Sequence, residues 1–94
     1  MLRKVLIADP VDGQAVTILS NAGIQAVTRT GSSPSVKDMM IKDRFDGLIV
    51  RSATQVTEEV IKNSPSLKVI GRAGVGTDNI DVGAASRSGI LVLK

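Results

Sequence analysis

Short apolar runs alternate with helix-spaced segments along the whole chain, and that alternation leaves few architectures open. The runs lie at 5–8, 24–29, 48–50, 67–70 and 90–93. Three of them close on a turn-forming or charged pair: Asp9-Pro10 after the first, Arg51-Ser52 after the third, Gly71-Arg72 after the fourth. Only 24–29 alternates apolar with polar residues; the others are largely continuous. A strand that is apolar on both sides is buried on both sides, which is the pattern of a parallel sheet with helices on its faces.

The intervening segments read as helices. Val11, Ala15, Ile18, Leu19 and Ala22 recur at helical spacing, and Gly23 stands where a helix ends in the left-handed conformation, which predicts a helix over 11–22. Residues 30–33 form a polar turn. Pro34 and Ser35 then open a second helix carrying Val36, Met39, Met40 and Ile41, with Met39 or Met40 in the core. Thr57 caps a third, with Glu58 and Glu59 in the first turn where the helix dipole favours acids, Val60 and Ile61 on its buried side, and Asn63-Ser64-Pro65 as its stop. Asp81 caps a fourth over 82–88, despite the cost of Gly83 in its first turn, and Gly89 ends it.

Strands and helices in strict alternation predict one α/β domain over residues 1–94, a doubly wound five-stranded parallel sheet of the flavodoxin-like order 2-1-3-4-5. A complete fold of this kind has a helix after its fifth strand. This sequence stops at Lys94, so the expectation is a truncated domain with its last helix missing. The sheet face beside the first helix would then expose a strip of Val, Ile and Leu. A homodimer through that face, by exchange of terminal elements, is the expected cover.

Composition excludes several chemistries. The chain has no Cys and no His, which removes disulfides, thiolate nucleophiles, the usual zinc sites and imidazole acid–base catalysis; no metal site is expected. The first apolar run is closed by Asp9-Pro10, too soon for a signal peptide or a membrane span, so a cytoplasmic location is expected. The net charge of +3 raises the question of nucleic acid. The cations form no run, and Phe45 is the one aromatic residue, so no stacking platform exists and nucleic acid is not the expected partner. A small anionic ligand suits the balance better.

In open parallel sheets, ligands bind beyond the carboxyl ends of the strands. Asp9, Arg51-Ser52 and Arg72 fall at such ends. Strands three and four are neighbours in the expected order, so Arg51 and Arg72 emerge side by side at one rim, where their like charges call for an anion between them. The alternative is a pair of solvated surface arginines, one of them paired with Asp78. Ser52 and Thr54 offer hydroxyl donors. The stretch Gly71-Arg72-Ala73-Gly74-Val75-Gly76-Thr77-Asp78-Asn79-Ile80-Asp81 offers backbone N–H groups around Ala73 to Gly76 on a glycine-rich turn. Its spacing is G-x-x-G-x-G, not the G-x-G-x-x-G of a dinucleotide fold. Asp9 stands where a phosphoacceptor receiver domain has an acidic residue, but that chemistry needs an Asp after strand three, where this chain has Arg51; Asp9 reads instead as a helix-opening residue before Pro10.

That glycine-rich stretch, together with Leu48-Ile49-Val50-Arg51-Ser52-Ala53-Thr54, resembles the D-isomer-specific 2-hydroxyacid dehydrogenases, and the likeness runs through all 94 residues. The resemblance implies an NAD-dependent oxidoreductase as parent, with this segment the first part of its substrate-binding domain. It implies substrate contacts at Arg51, Ser52, Arg72, Ala73 and Gly74, with backbone N–H groups of the last three facing the substrate carboxylate. Val75 matches a position touching the nicotinamide end of NAD. The family's nucleotide-binding domain and its catalytic Arg, Glu and His match nothing in this sequence. Weak binding of a small anion is therefore expected, with no NAD bound and no turnover. The alternative is an excised flavodoxin-like folding unit with no ligand that self-associates.

Overall fold

A computed structural model describes residues 2–29, 35–73 and 78–93. The elements alternate as β1 (Lys4–Ile7), α1 (Gly13–Asn21), β2 (Gln25–Thr28), α2 (Val36–Lys42), β3 (Gly47–Val50), α3 (Glu58–Lys62), β4 (Val69–Arg72), α4 (Val82–Arg87) and β5 (Leu91–Leu93). All five strands are parallel and lie in the order β2-β1-β3-β4-β5, the doubly wound arrangement the sequence predicts.

Helix ends follow their caps. Ser35, Thr57 and Asp81 each accept from the N–H three residues on, in Asp38, Val60 and Ala84, satisfying donors that the first helical turn leaves open. Helix α1 starts later than its apolar spacing suggests. Its cap is Asp12, whose carboxylate accepts from Gln14 N–H at 3.0 Å, so Val11 belongs to the approach and not to the helix. Gly23 and Gly89 have φ of 78° and 73° just past α1 and α4, where other residues would be strained. Pro34 and the 30–33 turn lie outside the described residues, as does Lys94.

The two sheet faces are covered unequally. Leu6, Ala8, Leu48, Val50 and Ile70 face the layer made by α2, α3 and α4, packing on Val36, Met40, Val60, Ile61, Ala84 and Ala85. Met40 is the buried methionine, and Met39 packs partly against the same cluster. The opposite face carries α1 alone among the described helices. Register places Val5 and Ile7 beside Gly47 and Ile49, then Val69 and Gly71, then Leu91 and Leu93. Exposure on this face climbs from 3% and 1% at Val5 and Ile7 to 59% and 52% at Leu91 and Leu93. None of the residues of α1 is fully buried, and Ile18 is 65% exposed despite its place in the predicted apolar stripe. Helix α1 contacts β2, and among the described elements it has no second neighbour to enclose its flank.

The core is small and, apart from the buried Phe45, aliphatic, so its members weigh heavily. Leu6, fully buried under the helical layer, should lose about 2–5 kcal/mol on replacement by Ala, a large share of the roughly 5–15 kcal/mol a domain possesses. Ile41→Gln, at a residue 57% exposed, should stay within about 0.5 kcal/mol. Urea unfolding followed by circular dichroism distinguishes the two.

Candidate anion-binding rim

The carboxyl ends of β1, β2, β3 and β4 form one rim, and a buried carboxylate organises it. Asp9 is 2% exposed. Its Oδ1 accepts the Thr54 hydroxyl at 2.6 Å, and its Oδ2 accepts the N–H groups of Arg51 at 2.8 Å and Thr54 at 3.1 Å. The Thr54 hydroxyl in turn accepts from Arg29 Nη2 at 3.3 Å. Burial alone would push the Asp9 carboxyl up. The hydroxyl of Thr54, the two N–H groups and the nearby Arg29 guanidinium outweigh it and hold the group below its ordinary 3.8. Asp9 is thus no helix opener: Asp12 has that role, and Asp9 ties the ends of three strands together. Thr54, expected to offer its hydroxyl to a ligand, is buried and already donates that hydroxyl's hydrogen bond to Asp9.

Asn79 fastens the other half of the rim. Its Nδ2 donates to the carbonyls of Arg51 at 2.5 Å and Thr54 at 2.6 Å, and its Oδ1 accepts from Arg72 Nε at 2.7 Å. Its backbone carbonyl accepts from Val56 N–H, and Val56 and Ile80 form an isolated parallel bridge. The loop after β3 is therefore pinned to the approach to α4.

Between these anchors sit the residues the sequence singles out. Arg51 is exposed, its main chain fixed by Asp9 on one side and Asn79 on the other, and its Nη1 donates to Pro10 O at 3.4 Å. Ser52 is exposed in the bend that follows. Arg72 is the last residue of β4, opposite Val50, and is half-buried. Gly71 and Arg72 belong to the strand, not to a turn beyond it, and Gly71 needs no positive φ. Ala73 donates its N–H to Val50 O at 2.9 Å, continuing the ladder, so that N–H is already engaged. Gly74 and Val75 lie outside the described residues. A hollow of about 250 Å3 is lined by Val11, Asp12, Arg51 and Ala73. An adjoining one of about 360 Å3 shares Val11, Asp12 and Ala73 and adds Ala15, Ile49, Gly71, Arg72 and Leu93. Both arginines thus border the same rim, Arg51 tethered toward the approach to α1 and Arg72 toward the approach to α4.

Guanidinium groups over a partly apolar floor suit a small molecule with a carboxylate or phosphate. The described residues contain no cluster of acids able to hold a metal ion. Sequence reasoning quoted Asn79 without assigning it a role, although an amide two residues before a helix cap, inside a strand-to-helix connection, is the kind of residue that bridges loop carbonyls.

The Asp9 carboxylate titrates lower in the folded chain than in the unfolded one. Its stabilisation is therefore present at neutral pH and lost as pH falls toward and below 3.8. Asp9→Asn should cost about 1–3 kcal/mol at pH 7, because the partners of a buried charge-assisted network are left mismatched. The variant should then lose less stability than the wild type between pH 5 and pH 3. Urea midpoints measured across that range check both signs.

The sequence of the family described as D-isomer specific 2-hydroxyacid dehydrogenase, catalytic domain, matches residues 5–94. The chain is 49% identical over 95 residues to D-3-phosphoglycerate dehydrogenase of Homo sapiens and 48% identical over 91 residues to that of Methanocaldococcus jannaschii. These alignments cover 99% and 97% of this chain but 17% of either relative, so the chain spans about one sixth of the length of the relatives it matches. Among solved structures, the cofactor (NAD+)-bound 3-phosphoglycerate dehydrogenase of Entamoeba histolytica superposes with a TM-score of 0.81 at 33% identity, over 98% of this chain and 32% of that one. The order of the strands, the paired rim motifs and these likenesses agree: the chain belongs to the D-isomer-specific 2-hydroxyacid dehydrogenase family.

Proposed function

We propose that this chain is part of the substrate-binding domain of an NAD-dependent phosphoglycerate dehydrogenase and forms the anion-binding half of its site. In that role it serves the oxidation of 3-phosphoglycerate to 3-phosphohydroxypyruvate in serine biosynthesis, in the cytoplasm. The observation that carries the reading is the pair Arg51 and Arg72 at one rim, bordering adjoining hollows that share Val11, Asp12 and Ala73. Arg51 and Arg72 would hold the anionic groups, Ser52 would add a hydroxyl, and Ala73 would line the floor. Gly74 is the further substrate contact, and Val75 the approach to the nicotinamide.

NAD supplies the hydride acceptor in this family. The described residues offer no pyrophosphate cradle for it, since the rim N–H groups of Arg51, Thr54 and Ala73 are engaged within the protein. On this reading the chain by itself would bind substrate weakly and not turn it over, since with no histidine among its 94 residues it holds no imidazole to take the hydroxyl proton. No described helix is long and apolar enough to cross a membrane.

A second reading, a folding unit that self-associates, has its own observation. Leu91 and Leu93 stand exposed on β5, an edge strand whose outer N–H and C=O groups pair with no strand of the sheet. For the 94-residue chain on its own we propose a homodimer, two copies joined through the sheet face beside α1 on which Leu91 and Leu93 stand exposed, which offers each copy the same surface.

Titration with 3-phosphoglycerate, followed by NMR, should give saturable shifts at Arg51 and Arg72 with a Kd of about 1–10 mM. Arg51→Ala and Arg72→Ala should each weaken binding about tenfold, the loss of a charge-assisted hydrogen bond. Asp12 puts a carboxylate beside both hollows; Asp12→Asn keeps a capping side chain and should tighten binding about threefold. Unsaturable or scattered shifts would remove the half-site. Sedimentation equilibrium should show a dimer at micromolar concentration that Leu93→Lys returns to monomer, and a monomeric wild type across that range would remove the homodimer.

A further inference from the structure

We propose that Asn79 is a positioning residue that couples the two arginines of the rim, so that neither reaches its binding geometry without it. The inference rests on the anion-site reading for its functional meaning but on Asn79's own contacts for its substance.

Asn79 is 6% exposed, and its amide makes three hydrogen bonds. Two donors meet two carbonyls, from Arg51 and Thr54, and the one acceptor meets Arg72 Nε. The amide has only one orientation that satisfies all three, because turning it over would set oxygen against two carbonyls and nitrogen against a guanidinium. Nothing smaller or differently charged can replace it. Aspartate at this position would put acceptors against both carbonyls, and leucine would leave the carbonyls of Arg51 and Thr54 and the Nε–H of Arg72 to find other partners.

The consequence is a mechanical link. The main chain of Arg51 is held by Asp9 at its N–H and by Asn79 at its carbonyl. The side chain of Arg72 is held by the same Asn79 amide at Nε. One buried side chain thus sets the direction of one arginine and the backbone of the other. An arginine loses substantial rotamer freedom when it grips an anion, and a guanidinium already tethered at Nε has less to lose.

The test uses the 94-residue chain and two readouts. In the free protein, the Arg72 Nε–H should exchange slowly with solvent; Asn79→Ala should release it to fast exchange and shift the Arg51 amide, whereas Asn79→Asp keeps an acceptor for Nε–H and should shift the Arg51 amide alone. In titrations with inorganic phosphate and with 3-phosphoglycerate, both variants should raise Kd about tenfold. A stability control accompanies them: Ser64→Ala removes a buried hydrogen bond to Val60 O, 2.7 Å long and remote from the rim, and should leave Kd within about twofold at comparable loss of stability. If Arg51→Ala and Arg72→Ala weaken binding while Asn79→Ala leaves Kd and Arg72 Nε–H exchange unchanged, the coupling role is wrong and the anion site stands. If the wild type binds neither anion yet Asn79→Ala releases Arg72 and shifts the Arg51 amide, the anion site is wrong and the coupling stands.

Discussion

A carboxylate taken out of water must recover its hydrogen bonds from the protein, and at Asp9 that requirement dictates the shape of the whole rim. Three donors converge on it, all from the loop after β3, and Arg29 approaches from the end of β2. The loop cannot drift without stranding a buried charge, which is among the more costly lesions a small domain can suffer. Asn79 closes the same loop from the other side by taking up its carbonyls. The rim is therefore rigid for a local reason, independent of how firmly the helices pack below it.

Rigidity at the rim contrasts with the uneven cover of the sheet. Three helices seal one face with Ala84 and Ala85 allowing α4 to approach closely, while the other face relies on α1. The larger hollow at the rim opens onto that second face, with Ile49, Gly71 and Leu93 as its floor. An anion held at the rim would thus lie beside an apolar surface. That combination suits a molecule with a charged end and a carbon skeleton better than a bare inorganic ion.

Much of this was legible in the sequence, and the exceptions share a cause. Strand order, the caps at Ser35, Thr57 and Asp81, and the terminating glycines Gly23 and Gly89 follow from local patterns of hydrophobicity and backbone preference. Asp9 and Thr54 were misread because their partners lie more than forty residues apart in the chain; nothing local separates an acid that caps a helix from one that anchors a rim. The start of α1 was displaced for the same reason, since two nearby aspartates could each have capped it. Charge misled differently. The positive balance suggested an anion site, yet Arg3, Lys4, Lys42, Arg44, Lys62 and Lys68 line hollows at the opposite edge of the sheet, with Asp43 and Asp46 as the acids among them. The proposed anion site rests on two arginines, not on the net charge of the chain.

Those two arginines are not equivalent. Arg72 is half-buried and held at Nε by a 2.7 Å hydrogen bond, whereas Arg51 is exposed and its guanidinium touches Pro10 O at 3.4 Å. A tethered side chain surrenders less freedom on gripping a ligand, and its charge is less screened by water. Arg51 keeps more freedom and can follow a ligand that varies in shape. In the proposed site the fixed member would set where a charged group sits and the more exposed member would adapt to the rest, a division in which position comes from the buried amide of Asn79 and tolerance from the exposed strand end.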